Sequence, residues 1–91
     1  MIRIKFEMYS DEGTCRFSFE TELQVMPKEN DEIILSREHR FMFQKHIDEH
    51  PEAYETYIHS RYGSTEAPDT LVVKRVDFYS DGTIIASASY L

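Results

Sequence analysis

Apolar residues occupy every second position at the start of this chain. Ile2, Ile4, Phe6 and Met8 alternate with Arg3, Lys5 and Glu7. After Ser10-Asp11-Glu12-Gly13 the alternation resumes, with Cys15, Phe17, Phe19, Thr21, Leu23 and Val25 set against Arg16, Ser18, Glu20, Glu22 and Gln24. Neighbouring side chains of a strand point to opposite faces, so period two means one dry face and one wet face. Two such runs joined by a turn, with Gly13 free to take positive φ, predict a β-hairpin. The second run is long enough to expect a bulge or bend. Its dry face needs a cover from elsewhere in the chain.

The last third follows the same plan. Leu71, Val72, Val73, Val76, Phe78 and Tyr79 are strongly β-prone, and Ser80-Asp81-Gly82 is hairpin-turn chemistry. Ile84, Ala86, Ala88 and Tyr90 then alternate with Ile85, Ser87 and Ser89. The two hairpins share a plan but no sequence, so no internal repeat is present. Between them, Pro27 ends the second strand because it lacks the N–H a ladder needs. Lys28-Glu29-Asn30-Asp31 reads as a polar turn, and Glu32-Ile33-Ile34-Leu35 as a short buried strand or an irregular crossing segment.

Helical signals fill the middle. Pro51 suits a first helical position, Glu52 and Glu55 favour the positive end of a helix, and His59 and Arg61 the negative end. Gly63 is a ready residue for the C-terminal turn. Tyr54, Tyr57, Ile58 and Tyr62 fall on one face at i, i+3, i+4 and i+8, so 51–62 is expected to be a helix. Over 37–49, Ser36 can cap and Phe43 and Ile47 pair at i, i+4, which favours helix although Phe41 then points outward. A strand there is the alternative. Pro51 disfavours helical geometry at His50, so two helices with a break near His50 are expected. Ser64 to Thr70, with Pro68 and Asp69, is a loop.

These elements predict one α+β domain over 1–91. The expected sheet is antiparallel with about five strands, made of an N-terminal hairpin, a short middle strand and a C-terminal hairpin. A two-helix insertion packs on one face. The alternative is a small five-stranded β-barrel with a helical insertion. With 41% hydrophobic and 13% aromatic residues, a chain of 91 residues has enough apolar surface for a single core.

Charge and cysteine content narrow the function. The chain carries 17 acids and 10 bases, a net charge of −7, and its bases are scattered. Phosphate backbones repel such a surface, which argues against direct nucleic-acid binding and for a protein partner or self-association. The single cysteine, Cys15, allows no intrachain disulfide. No unbroken apolar stretch opens the chain and none approaches the roughly 18 residues of a membrane span. A cytoplasmic protein without a membrane segment is the expectation.

Motifs with chemistry are few. His46-Ile47-Asp48-Glu49-His50 fits H-x-x-E-H, a zinc pattern in which two histidines one turn apart on a helix bind metal and the glutamate works on bound water. Pro51 breaks the helix where the second ligand should be fixed. His46, Glu49 and His50 are therefore a weak metal alternative, and no cofactor is expected. His39, His46 and His50 also share one side of the first helix, where histidines commonly edge a core. Cys15 has no marked base. No G-x-S-x-G elbow is present, and Gly13, Gly63 and Gly82 lie too far apart for a phosphate loop. Tyr54, Tyr57 and Tyr62, with Arg61 in the same stripe, form the partner-binding candidate, weighed against plain packing on the sheet. The expected function is a non-catalytic interaction or assembly domain, an adaptor, inhibitor or self-associating component. One alternative is a small metal-dependent or histidine-based enzyme. Another is an acidic nucleic-acid mimic built from Glu20, Glu22, Glu29, Asp31, Glu32, Asp48, Glu49, Glu52 and Glu55.

Overall fold

The alternating run at the start forms β1 (Ile2–Tyr9), which lies second from one edge of a five-stranded sheet. A computed structural model describes residues 1–9 and 16–90. The turn expected at 10–13 and the strand start at Cys15 lie outside those residues. The remaining elements are β2 (Arg16–Leu23), β3 (Glu32–Ile34), α1 (Arg37–Glu49), a 3-10 turn at Pro51–Tyr54, α2 (Glu55–Ser60), β4 (Thr70–Phe78) and β5 (Ile84–Tyr90). The expected α+β architecture is present, and the sheet curls into half a barrel.

Strand order is β2-β1-β5-β4-β3. β1–β2, β4–β5 and β3–β4 pair antiparallel, whereas β1 and β5 pair parallel, with Lys5 opposite Ile85 and Met8 opposite Ala88. The sheet is therefore mixed rather than antiparallel throughout. Alternation fixes which side chains are buried but says nothing of strand direction. A parallel neighbour needs a long crossover, and here the whole chain between the hairpins supplies it.

The inner face is apolar. Ile4, Phe6 and Met8 of β1, Phe17 and Phe19 of β2, Leu71 and Val73 of β4, and Ala86 and Ala88 of β5 are buried with Phe43, Ile47, Tyr54 and Tyr57 of the helical insertion. Phe6 stacks on Phe19 at 5.2 Å, and Phe17 on Phe43 at 4.6 Å, which joins the helical layer to the sheet. The outer face is polar: Arg3 sits 3.2 Å from Glu20 and 3.8 Å from Glu22, and Arg75 2.8 Å from Asp77. Exposed pairs of this kind contribute about 0–1 kcal/mol each.

β2 needs no bulge. It pairs with β1 in continuous register from Ile2↔Leu23 to Tyr9↔Arg16, and the chain bends away at Gln24–Val25, where Val25 is exposed. The register shift falls in β4 instead, between Val73 and Arg75. One extra residue there lets Val76 share the inner side with Leu71 and Val73 despite its odd spacing. β3 is extended by Asn30, whose N–H reaches the Val73 carbonyl at 2.8 Å, and by Asp31, whose carbonyl accepts from Val73 at 2.9 Å. Asn30 takes a φ of 74°, a left-handed geometry asparagine tolerates better than most residues.

α1 confirms the helical reading of 37–49. The Ser36 hydroxyl accepts from the His39 N–H at 3.1 Å, Phe43 and Ile47 are buried, and Phe41 is 71% exposed. Ser36→Ala is expected to cost about 1 kcal/mol of stability, read as a lower urea midpoint, whereas Ser36→Asp, which keeps an acceptor, restores most of it. His50 leaves helical geometry (φ −134°, ψ 53°) immediately before Pro51. Residues 51–62 are not one helix: a 3-10 turn precedes a single short α-segment ending at Ser60. Gly63, at φ 86°, closes it by donating to the Ile58 carbonyl at 2.9 Å.

Candidate functional site

α1 runs over the edge strand β2, and the histidines lie on that side of it. His39 stacks on Phe19 at 4.2 Å, and His46 tilts against Phe17 at 5.7 Å. The Tyr54 hydroxyl lies 2.7 Å from His46 Nδ1, and the His46 and His50 rings are 4.8 Å apart. His50 ends the helix: its N–H still donates to the His46 carbonyl at 3.0 Å, while its own backbone leaves helical geometry. Glu49 faces Lys45 at 3.9 Å, and His50 Nδ1 lies 4.0 Å from Glu52. No group of three or more His, Cys, Asp and Glu side chains able to hold a metal occurs among the described residues. His46, Glu49 and His50 sit together at the end of α1, with Glu49 turned to Lys45 and His50 to Glu52.

Burial lowers the pKa of His46, and the neighbouring His50 lowers it further, with Glu49 acting the other way. A lowered value in the folded state means the unfolded chain binds the proton more readily. The stability this group contributes is full above its ordinary value near 6.5 and is lost as pH falls below it. The thermal midpoint is expected to drop between pH 7 and pH 5, and to drop less in His46→Gln. Equal slopes in the two proteins would remove His46 as the cause.

The structure divides the tyrosine row. Tyr54 and Tyr57 are buried at 0% and 1% exposure, while Tyr62 is fully exposed with a φ of 57°. The Tyr57 hydroxyl donates to the Glu66 carbonyl at 2.6 Å, its ring meets Tyr90 edge-on at 4.5 Å, and the Arg61 guanidinium lies 4.9 Å from its centre. Burial raises the Tyr57 pKa, with Arg61 opposing. Tyr54 and Tyr57 are therefore core side chains, and of the four candidate residues only Arg61 and Tyr62 are on the outside.

Two features escaped the sequence reading. The first is a strap from α1 to the 64–69 loop. Gln44 Nε2 donates to the Thr65 carbonyl at 2.6 Å and to Asp48 at 3.1 Å, while its Oε1 accepts from the Ala67 N–H at 2.7 Å. Beside it Arg40 reaches Glu66 at 2.8 Å and Asp69 at 3.0 Å. Arg40, Glu66 and Asp69, with Arg61, Tyr62 and Ser64, line a cavity of about 330 Å³. The second feature is the solvent-facing surface of α1, where Phe41 and Met42 are exposed. Met42, Lys45, His46 and Glu49 form a shallow groove with Phe17 of β2. Only the place of Phe41 outside the i, i+4 pair of Phe43 and Ile47 hinted at it.

The acids of the mimic reading fall on different faces. Glu20 and Glu22 flank Arg3 on the outer sheet face, the Asp31 carboxylate accepts the Lys28 N–H at 2.7 Å, and Glu49 and Glu52 lie on the helical side. Among the described residues no helix is long and apolar enough to cross a membrane. Comparison with protein-family models, with curated proteins and with solved structures finds no match to this chain.

Proposed function

We propose that this chain is a non-catalytic protein-interaction domain. One observation carries the reading: α1 turns two large apolar side chains, consecutive in sequence, outward, Phe41 at 71% and Met42 at 40% exposure, with Met42 beside the edge strand β2. Apolar surface of this kind, with Lys45 and Glu49 beside Met42, suits contact with another polypeptide. Its neighbours are committed internally. His46 is held against Tyr54, Gln44 and Arg40 hold the 64–69 loop, and the buried tyrosines serve the core. A net charge of −7 favours a partner with basic patches or a surface of mixed charge.

The test is the native size of the chain in extracts of cells that make it. The expected result is elution well above 10.8 kDa, shifted toward that mass by Phe41→Ser together with Met42→Ser. Elution as a lone 10.8 kDa species before and after the substitutions would overturn the reading.

A further inference from the structure

Proteins guard the edges of their sheets. Short edge strands, charged side chains (lysine above all), prolines, bulges, inward-pointing charges and a covering helix or loop all discourage a second chain from pairing there. β3, one edge of this sheet, is guarded by its length of 3 residues. β2, the other edge, is guarded less: its acids Glu20 and Glu22 lie on the outer face, where Arg3 of β1 reaches both, and α1 covers its inner face alone. β2 is 8 residues long, runs without a register shift, and its sequence Arg-Phe-Ser-Phe-Glu-Thr-Glu-Leu contains no proline and no lysine. Its inner side carries Phe17 and Phe19, with no charge. Among the described residues the β2 backbone pairs with β1 alone.

Resting on the interaction-domain reading above, we infer that the β2 edge pairs antiparallel with β2 of a second copy of this chain, in a register centred on Phe19. Charge selects that register. Pairing across a two-fold axis makes residue sums constant along the ladder, and only even sums keep both inner faces on one side. Centring on Thr21 or on Glu20 sets acids directly against acids, Glu20 against Glu22 in the first case and Glu20 against itself in the second. Like charges directly opposite are destabilising. Centring on Phe19 places Glu20 opposite Ser18 and Glu22 opposite position 16, an arginine in the sequence. Phe19 faces its own copy, and the overlap is longer than for any centre nearer the start of the strand.

The groove fits the same arrangement. His39 stacks over Phe19, so a two-fold axis at Phe19 brings the two α1 helices side by side on the inner face. Met42, whose side of α1 lines the groove with Phe17, then lies along the seam. The dimer joins two five-stranded sheets into one of ten strands, with the helices of both copies on the same side.

Sedimentation equilibrium combined with amide hydrogen exchange at low and high protein concentration tests this. Mass is expected to rise toward twice 10.8 kDa, and amide protection to rise with concentration across 16–23 but not across 32–34. Met42→Glu is expected to weaken association about tenfold, since it sets two like charges at the seam, while Met42→Leu leaves it unchanged. A dimer whose added protection lies outside β2 would overturn the edge pairing and leave the interaction-domain reading standing. A monomer at every concentration would overturn the self-pairing, and the native size in cell extracts then decides the broader reading separately.

Discussion

Phe43→Ala is expected to remove about 3–5 kcal/mol of stability, while Phe41→Ala, two positions away on the same helix, changes it by no more than about 0.5 kcal/mol. Phe43 is 0% exposed and stacks on Phe17 at 4.6 Å, and its ring also lies 6.0 Å from Tyr54. It joins α1, the 3-10 turn and β2 at one point. Removing the ring leaves a cavity that three elements would have to close together. A domain of 91 residues has only about 5–14 kcal/mol in total, so the substitution consumes a large part of it. Urea titration followed by circular dichroism reads the difference directly. Equal midpoints for the two variants would mean that α1 is rotated relative to the sheet.

Gln44→Ala carries the second largest expected effect, a loss of about 2–3 kcal/mol with faster amide exchange at Ala67. The estimate follows from the three hydrogen bonds of one side chain, each contributing about 0.5–1.5 kcal/mol net, with part of the sum offset by solvation of the freed groups. Ala67 is buried, so its N–H loses a partner that water replaces poorly. Gln44→Glu is expected to do no better. It keeps an acceptor for Ala67 but sets a carboxylate against the Thr65 carbonyl and against Asp48, where Gln44 now donates. Unchanged Ala67 exchange in both variants would show that the 64–69 loop is held by Arg40 and Tyr57 alone.

Local chemistry made much of this fold legible. Period two placed both hairpins, because a strand in contact with one core advertises its buried face. Ser36, Pro51 and Gly63 marked where helical geometry starts, breaks and ends, because each acts on the backbone within a few residues. The β1–β5 pairing was not legible, since parallel and antiparallel neighbours ask the same alternation of a strand. The bulge near Lys74 was visible only as the odd spacing of Val73 and Val76, which has meaning once the partner strand is known.

The site was harder to read for a different reason. Tyr54 and Tyr57 have the spacing of an interaction stripe, but a core stripe has the same spacing, and only the position of the sheet decides between them. An outward Phe41 counts against a helix in the sequence as readily as it marks exposed surface, and only the folded position of α1 separates the two. The strap through Gln44 joins residues 21 and 23 positions apart, beyond any local pattern.

Cross-linking in intact cells, followed by mass spectrometry, tests the interaction-domain claim most directly. Lys45 is exposed on α1 beside Met42 and the β2 edge, and it supplies a reactive amine at the surface in question. The expected result is that Lys45 links to another polypeptide chain, a second copy or a different protein, and that Lys28 on the 27–31 turn does so far less. Intrachain links alone, with the protein recovered as a lone 10.8 kDa species, would contradict it.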